Sequence, residues 1–466
     1  MRLNYRSFKS LAISLFLFGS LLRILLCWAN PPENSFDDHY EPIFMIMESG
    51  KIPAKDACWQ CYHPPVFYWI SAMVGNIAVD AGAKDPLLAK VLQFIPCLYG
   101  ILTVGIVFLI LRKFPLSYFS SLIGFGTACF LPRHIYMSAM NSNDTISYLF
   151  VALSVYLLLI ALERKLPPYL VLLIGIVVLI TLFTKYTSYV VLPILLIVFV
   201  TLFFKRLIVS RKRVWLFFLL AFVIPTLVLS AYFISNTKKY GSPLPWNVSE
   251  LDPSHTQPRD TQRMDFVSFK PWESISEPLI VPGKMHSFWT LVYNGMWFDN
   301  QPLFLYYPNP NPRWWGQYYA WLRGEAPFPG ENPLMSKWTK LTGSGLEFLG
   351  LFPLLLLVYG FYNFLRGRWK QWTQAKEMDT VKMIIFPTLF VANAAGIIAL
   401  ALRLPVYSAA KASYFLNSMS AFAVFLSLGL MPCEQNKKFR YAIVVVFGLL
   451  FTLASLHILH IVLSLK

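Results

Sequence analysis

Apolar and polar positions fall in long blocks along the chain, with runs of about twenty apolar residues separated by polar segments, most of them short and two of them long. The runs lie near 11–29, 87–111, 115–137, 143–162, 167–184, 186–204, 214–235, 344–365, 383–402, 412–432 and 441–464. Each reaches or approaches the length a helix needs to cross hydrocarbon, about 20 residues. The pattern predicts an all-α polytopic membrane protein with about 11 transmembrane helices. The first run follows Arg2, Arg6 and Lys9, as a signal peptide would, but it is long and lacks a small-residue cleavage pattern. It reads as a retained span.

The polar segments are of two kinds. Lys and Arg collect in the N-terminal tail, at Arg112-Lys113, Arg164-Lys165, Lys205 to Arg213, Arg366 to Lys382 and Lys437 to Arg440. Counting spans puts all of these on one face, which the positive-inside rule makes cytoplasmic, with the N-terminus inside and the C-terminus outside. The membrane implied is the plasma (inner) membrane. The other two segments, a net acidic loop over 30–86 and a long loop over 237–342 rich in Pro, Trp, Tyr and Asn, then face outward. Three regions follow: 1–236 with the loop 30–86, an extracytoplasmic cap 237–342, and C-terminal helices over 343–466.

Composition changes this picture little. Of 466 residues 56% are hydrophobic and 14% charged, against about 25% charged in soluble chains. The net charge of +17 sits in short loops on one side, which argues against a nucleic-acid partner. No fixed-period repeat and no phosphate-cradling glycine motif occur, so nucleotide-driven chemistry on the cytoplasmic side is not expected. Cys27, Cys97, Cys129 and Cys433 lie in apolar surroundings and read as packing residues.

Candidate chemistry gathers in residues 37–69. Asp37, Asp38, His39 and Glu41 come first, followed by Cys58-x-x-Cys61 and His63-Pro64-Pro65 with an aromatic run behind it. Tyr40, Ile43, Phe44 and Met47 have helical spacing and predict a short interfacial helix ended by Gly50 and Pro53, with the acids near its N-terminus as either caps or chemistry. A second short helix is expected from Pro65. Cys58 and Cys61 form either a disulfide that pins the loop, the preferred reading, or, with His39 or His63, part of a zinc site. Asp144 and Glu347 are the two carboxylates placed in or at the edge of a span. Asp144, in Asn141-Ser142-Asn143-Asp144, is a functional candidate because an ionisable group there is costly. It also suits a helix N-cap.

A carboxylate soon after the first span, Gly50-Lys51-Ile52-Pro53 about fifteen residues later, then His63-Pro64-Pro65 and aromatics, resembles the GT-C-fold membrane glycosyltransferases. The nearest likeness is to protein O-mannosyltransferases and to bacterial aminoarabinose and polyprenyl-phosphate-sugar transferases. Downstream, Asp144, the turn Phe183-Thr184-Lys185-Tyr186-Thr187, and Lys411-Ala412-Ser413-Tyr414 are similar to family features. So are Tyr240-Gly241-Ser242-Pro243, His286-Ser287-Phe288-Trp289 and Tyr293-Asn294-Gly295-Met296-Trp297, although such aromatics also suit an interfacial belt, the favoured reading for any one of them. Lys185, Arg133 with His134, Arg403 and Lys411 read either as phosphate-neutralising cations or as helix-end anchors.

The resemblance implies inverting transfer of a sugar from a polyprenyl-phosphate donor to a lipid, glycan or protein acceptor, within the membrane lipid. Asp37 or Asp38 would be the base and Asp144 a second carboxylate. His39, Glu41, His63, Lys185, His286, Arg403, Lys411 and Tyr414 would bind substrate. A divalent metal is left open. Cys58-x-x-Cys61 departs from the family pattern, and the run Asp37-Asp38-His39 leaves the family's catalytic acid undecided between two residues. A non-catalytic lipid or solute transporter is the alternative, but no internal duplication supports it. A structural subunit of the cell envelope would leave the acids expendable.

Overall fold

The computed structural model describes residues 5–32, 39–204, 209–245, 263–275, 286–298, 336–371, 377–404 and 409–465, with isolated positions between 317 and 330. Among these residues the regular structure is helical, with no strand. Among the described residues nine helices are long and apolar enough to cross a membrane. Two further expected spans fall on shorter helices, Tyr118–Phe130 and Pro168–Leu182.

In chain order, α1 (Tyr5–Ala29) leads into two short helices, α2 (Tyr40–Ser49) and α3 (Val66–Asp80). Next come α4 (Leu87–Leu111), α5 (Tyr118–Phe130), α6 (Pro132–Ser138), α7 (Asp144–Glu163) and α8 (Pro168–Leu182). A 3-10 turn, Tyr186–Val190, opens α9 (Val191–Phe204). Then follow α10 (Arg211–Tyr240), α11 (Phe288–Trp297), α12 (Lys337–Gln371), α13 (Glu377–Arg403), α14 (Ala412–Cys433) and α15 (Lys437–Ser464).

The single span expected over 115–137 is two helices. Pro132 has no N–H to continue the ladder, and the chain turns at Leu131. The carbonyls this exposes are met by Arg23 of α1, which is 1% exposed. Its Nη1 donates to Cys129 O at 2.8 Å and its Nη2 to Ala128 O at 3.3 Å. The same Nη2 lies 2.7 Å from His134 Nδ1. A buried guanidinium thus replaces the donors that the helix break removes.

The short helix α2 ends where expected, at Gly50 in the left-handed conformation (φ 67°). Its apolar face differs from expectation in what it touches. Tyr40, Ile43 and Ile46 pack with Phe67, Tyr68, Leu92 and Ile146, so the face is covered by protein. It is α3 that leaves an apolar stripe exposed, Trp69, Met73 and Ile77 at helical spacing.

The 286–298 stretch of the long loop also differs. Aromatics of the 286–298 stretch, favoured singly as belt residues, are largely buried. The reason lies on α12: Glu347 is buried within that helix, Asn294 Nδ2 donates to its carboxylate and Tyr293 OH donates to its carbonyl. Docking of α11 thus brings a hydrogen-bond donor to a carboxylate that is costly to bury.

On the basic face, Lys113 and Lys382 both reach Glu163, at 2.8 and 3.1 Å, and Arg213 donates to Lys165 O at 3.1 Å. Four basic segments therefore meet there, at one end of α7. Asp144 stands at its other end, 20 residues or about 30 Å away. On the other side of the bundle α12 and α14 cross with backbones touching: a Cβ on Gly360 would lie 1.9 Å from Phe425 O, and one on Gly429 2.0 Å from Leu356 O.

Candidate functional site

Two short sequences far apart in the chain meet at the N-terminal end of α7. Asp144 opens α7, and the 3-10 turn after α8 carries Lys185 to it. Lys185 Nζ lies 2.8 Å from Asp144 Oδ2, with both side chains at most 7% exposed. Ser142 Oγ donates to the same carboxylate oxygen at 3.0 Å. The other oxygen, Oδ1, is buried and has no hydrogen-bond partner among the described residues. The N-cap position itself belongs to Asn143, whose side chain makes no cap bond. Asp144 is thus part of an ion pair with one oxygen left over.

The start of α14 closes this pair from above. Lys185 Nζ lies 5.5 Å from the centre of the Tyr414 ring and Lys411 Nζ 5.9 Å from it, so two ammonium groups share one aromatic ring. Tyr148 OH donates to Ser413 O at 2.8 Å, and Ser147 Oγ to Asn417 Oδ1 at 2.8 Å. Asn417 Nδ2 donates in turn to Thr187 O at 3.3 Å. These bonds tie α7, the Lys185 turn and α14 into one unit. Arg133 is buried in α6, donates through Nε to Gly295 O and stacks over Tyr136 at 5.8 Å. It joins α11 to the same region.

The first loop docks beside it. Val66 N donates to Phe183 O at 3.1 Å and Tyr186 OH to Tyr62 O at 2.7 Å, which seats His63-Pro64-Pro65 on the Lys185 turn. His39 is buried, with Nδ1 2.9 Å from Tyr68 OH, and its ring stacks on His63 at 6.0 Å. Cys58 and Cys61 are joined in a disulfide. This excludes the zinc reading for those two residues with His39 or His63, because disulfide sulfurs offer no thiolate to a metal. No group of three His, Cys, Asp or Glu side chains able to hold a metal ion occurs among the described residues.

Other expected residues fall elsewhere. Asp37 and Asp38 lie outside the described residues, as does Pro405 to Tyr407. Glu41 sits in the first turn of α2 and is exposed. His286 is buried just ahead of α11. Arg403 is exposed at the end of α13 and has no ion pair with Asp144 or Glu347.

The sequence also passes over Lys55. Its ammonium donates to His63 O at 2.5 Å and lies 5.4 Å from the Tyr232 ring centre, while its N–H donates to Tyr240 OH at 3.2 Å. Burial lowers its pKa to about 8. Nothing local separates it from Lys51, four residues earlier and exposed; only the fold turns one inward.

Residues 62–230 match the family of dolichyl-phosphate-mannose-protein mannosyltransferases. No curated protein sequence matches the chain. Among solved structures it is similar to the oligosaccharyltransferase of Archaeoglobus fulgidus in complex with zinc and sulfate, with a TM-score of 0.52 and 15% identity over 95% of this chain and 53% of that one. The same archaeal enzyme tethered to an acceptor peptide containing the NVT sequon gives a TM-score of 0.51 and 14% identity, over 96% and 55% of the two chains. In complex with an inhibitory peptide and a dolichol-phosphate it gives 0.50 and 14%, over 97% and 56%. The chain thus spans about half the length of these enzymes, and at such identities the likeness establishes the fold.

Proposed function

We propose that this GT-C-fold membrane protein is a glycosyltransferase that moves a sugar from a polyprenyl-phosphate donor to an acceptor at the extracytoplasmic membrane face. The observation that carries the reading is the buried Asp144–Lys185 pair at 2.8 Å, set beside Tyr414 and Lys411 with one carboxylate oxygen unpartnered. Around it lie cations suited to a phosphate that must carry negative charge as it leaves. The match of residues 62–230 to dolichyl-phosphate-mannose-dependent enzymes supports a lipid-phosphate donor.

The chemistry follows from that leaving group. A phosphate monoester needs no proton to depart, so the demand falls on the acceptor, whose hydroxyl or amine must lose one. The acceptor's lone pair forms a bond to the anomeric carbon, and the carbon–oxygen bond to phosphate breaks on the opposite face, inverting the centre. The phosphate keeps the electron pair and is met by Lys185 and Lys411, while the acceptor proton goes to Asp37 or Asp38. Asp144 orients the acceptor or assists that base.

Cells lacking the gene, rescued with wild type or with the Asp37→Asn/Asp38→Asn variant, test the reading. Mass spectrometry of their glycolipids, glycans and glycoproteins is expected to show one sugar-sized mass restored by wild type alone. Equal rescue by both removes the base assignment.

A further inference from the structure

Residues Asn141 to Thr145 run from the turn after α6 into the first turn of α7, and all five are buried, at 4% exposure or less. Loops normally avoid this, since a buried polar side chain without a partner costs about 1–3 kcal/mol. Here the omission is repeated: both amide atoms of Asn141, both of Asn143, the Thr145 hydroxyl and Asp144 Oδ1 have no hydrogen-bond partner among the described residues. Their neighbours are satisfied, Ser142 by Asp144, Ser147 by Asn417 and Tyr148 by Ser413. Such atoms occur singly elsewhere, as at Thr187 Oγ1 and Ser420 Oγ, but six of them gather in this one stretch, which abuts the Asp144–Lys185 pair.

We infer that Asn141, Asn143 and Thr145 are the specificity-determining residues that hold the hydroxyls of the transferred sugar; this rests on the transferase reading above. The chemistry of the set selects the ligand class. Two carboxamides offer two donors and an acceptor oxygen each, and a threonine hydroxyl offers both, which matches hydroxyls that donate and accept. A phosphate, an acceptor only, finds no cation in this turn; its cations are Lys185 and Lys411. A divalent metal at Asp144 Oδ1 would meet an ammonium already 2.8 Å from the other carboxylate oxygen. A sugar joined through its phosphate to the Lys185 side would lie with its ring against this turn.

The test measures binding to the full-length protein in nanodiscs, with two kinds of probe: polyprenyl phosphate alone, and the same lipid phosphate carrying mannose, glucose, galactose, N-acetylglucosamine or aminoarabinose. Wild type is expected to favour one sugar-bearing lipid over the bare one. Asn141→Leu, Asn143→Leu and the isosteric Thr145→Val should each keep affinity for bare polyprenyl phosphate within about twofold and lose about fivefold to tenfold of the sugar's increment, one neutral hydrogen bond apiece. Retained binding of the bare lipid also reports that each variant is folded. If the variants bind the preferred sugar lipid as wild type does, or if wild type binds the bare lipid and every sugar lipid equally, the turn holds only water and the inference is overturned while the transferase reading stands. If wild type binds none of the probes, the transferase reading fails and takes this inference with it.

Discussion

Asp144 and Lys185 depend on each other for their buried charge. Removing one partner of a buried pair leaves the other uncompensated, at about 3–5 kcal/mol. Asp144→Asn and Lys185→Met should each lower the thermal unfolding temperature of the detergent-solubilised protein clearly, while the double variant recovers most of the loss. Transfer activity should stay absent in all three. Single variants as stable as wild type would show that the pair does not hold the site together. Lys55 makes a different prediction. With a pKa near 8 it is an ammonium below that pH and an amine above it, so any step using its charge is intact at pH 7 and lost as pH rises through 8. Transfer rates between pH 6.5 and 9.5 should fall with that midpoint, and Lys55→Arg, charged throughout, should hold its rate to pH 9.5. Superimposable profiles would remove Lys55 from the chemistry. Asp144 and Lys185 were visible in the sequence as ionisable residues at span ends. Lys55 was not, because its burial comes from Tyr232 and from Tyr240, the latter 185 residues away.

At the scale of elements, hydropathy found the helices and missed what joins them. Runs of apolar residues report burial in lipid or protein without distinguishing the two, which is why α2 was expected on the membrane and is instead covered by α3 and α4. Likewise the run over 115–137 hides the break at Pro132, since Leu131 and Ile135 are apolar on both sides of it. The break is held by Arg23, a residue whose local sequence shows only a cation in the middle of a span. Close crossings of membrane helices rest on small residues for the same steric reason. Gly429→Leu should drive α12 and α14 apart, giving lower yield of folded protein and a lower unfolding temperature, whereas Gly448→Leu, where a Cβ meets nothing within 4 Å, should leave both unchanged. Equal effects of the two would mean that the crossing contributes little.

For the whole molecule the arrangement is polarised: basic segments gather around Glu163 at one end of α7 and the candidate chemistry gathers around Asp144 at the other. If the basic end is cytoplasmic, a cysteine at Arg164 in a cysteine-free background should react with an impermeant thiol reagent only in inverted vesicles, and one at Lys51 only in intact cells. The opposite pattern would invert the topology. One further consequence comes from α8. Its 15 residues measure about 22 Å, against roughly 30 Å for an average hydrocarbon layer, and Lys185 follows only three residues beyond its end. A helix this short forces the bilayer to dimple around it or leaves its polar turn sunk beneath the headgroups. Under the proposed function, the ammonium would in either case meet a lipid phosphate at a depth that lipids elsewhere do not occupy, so the thickness of the host membrane would become a parameter of the reaction: thin bilayers would present the headgroup ready to react, and thick ones would first have to deform.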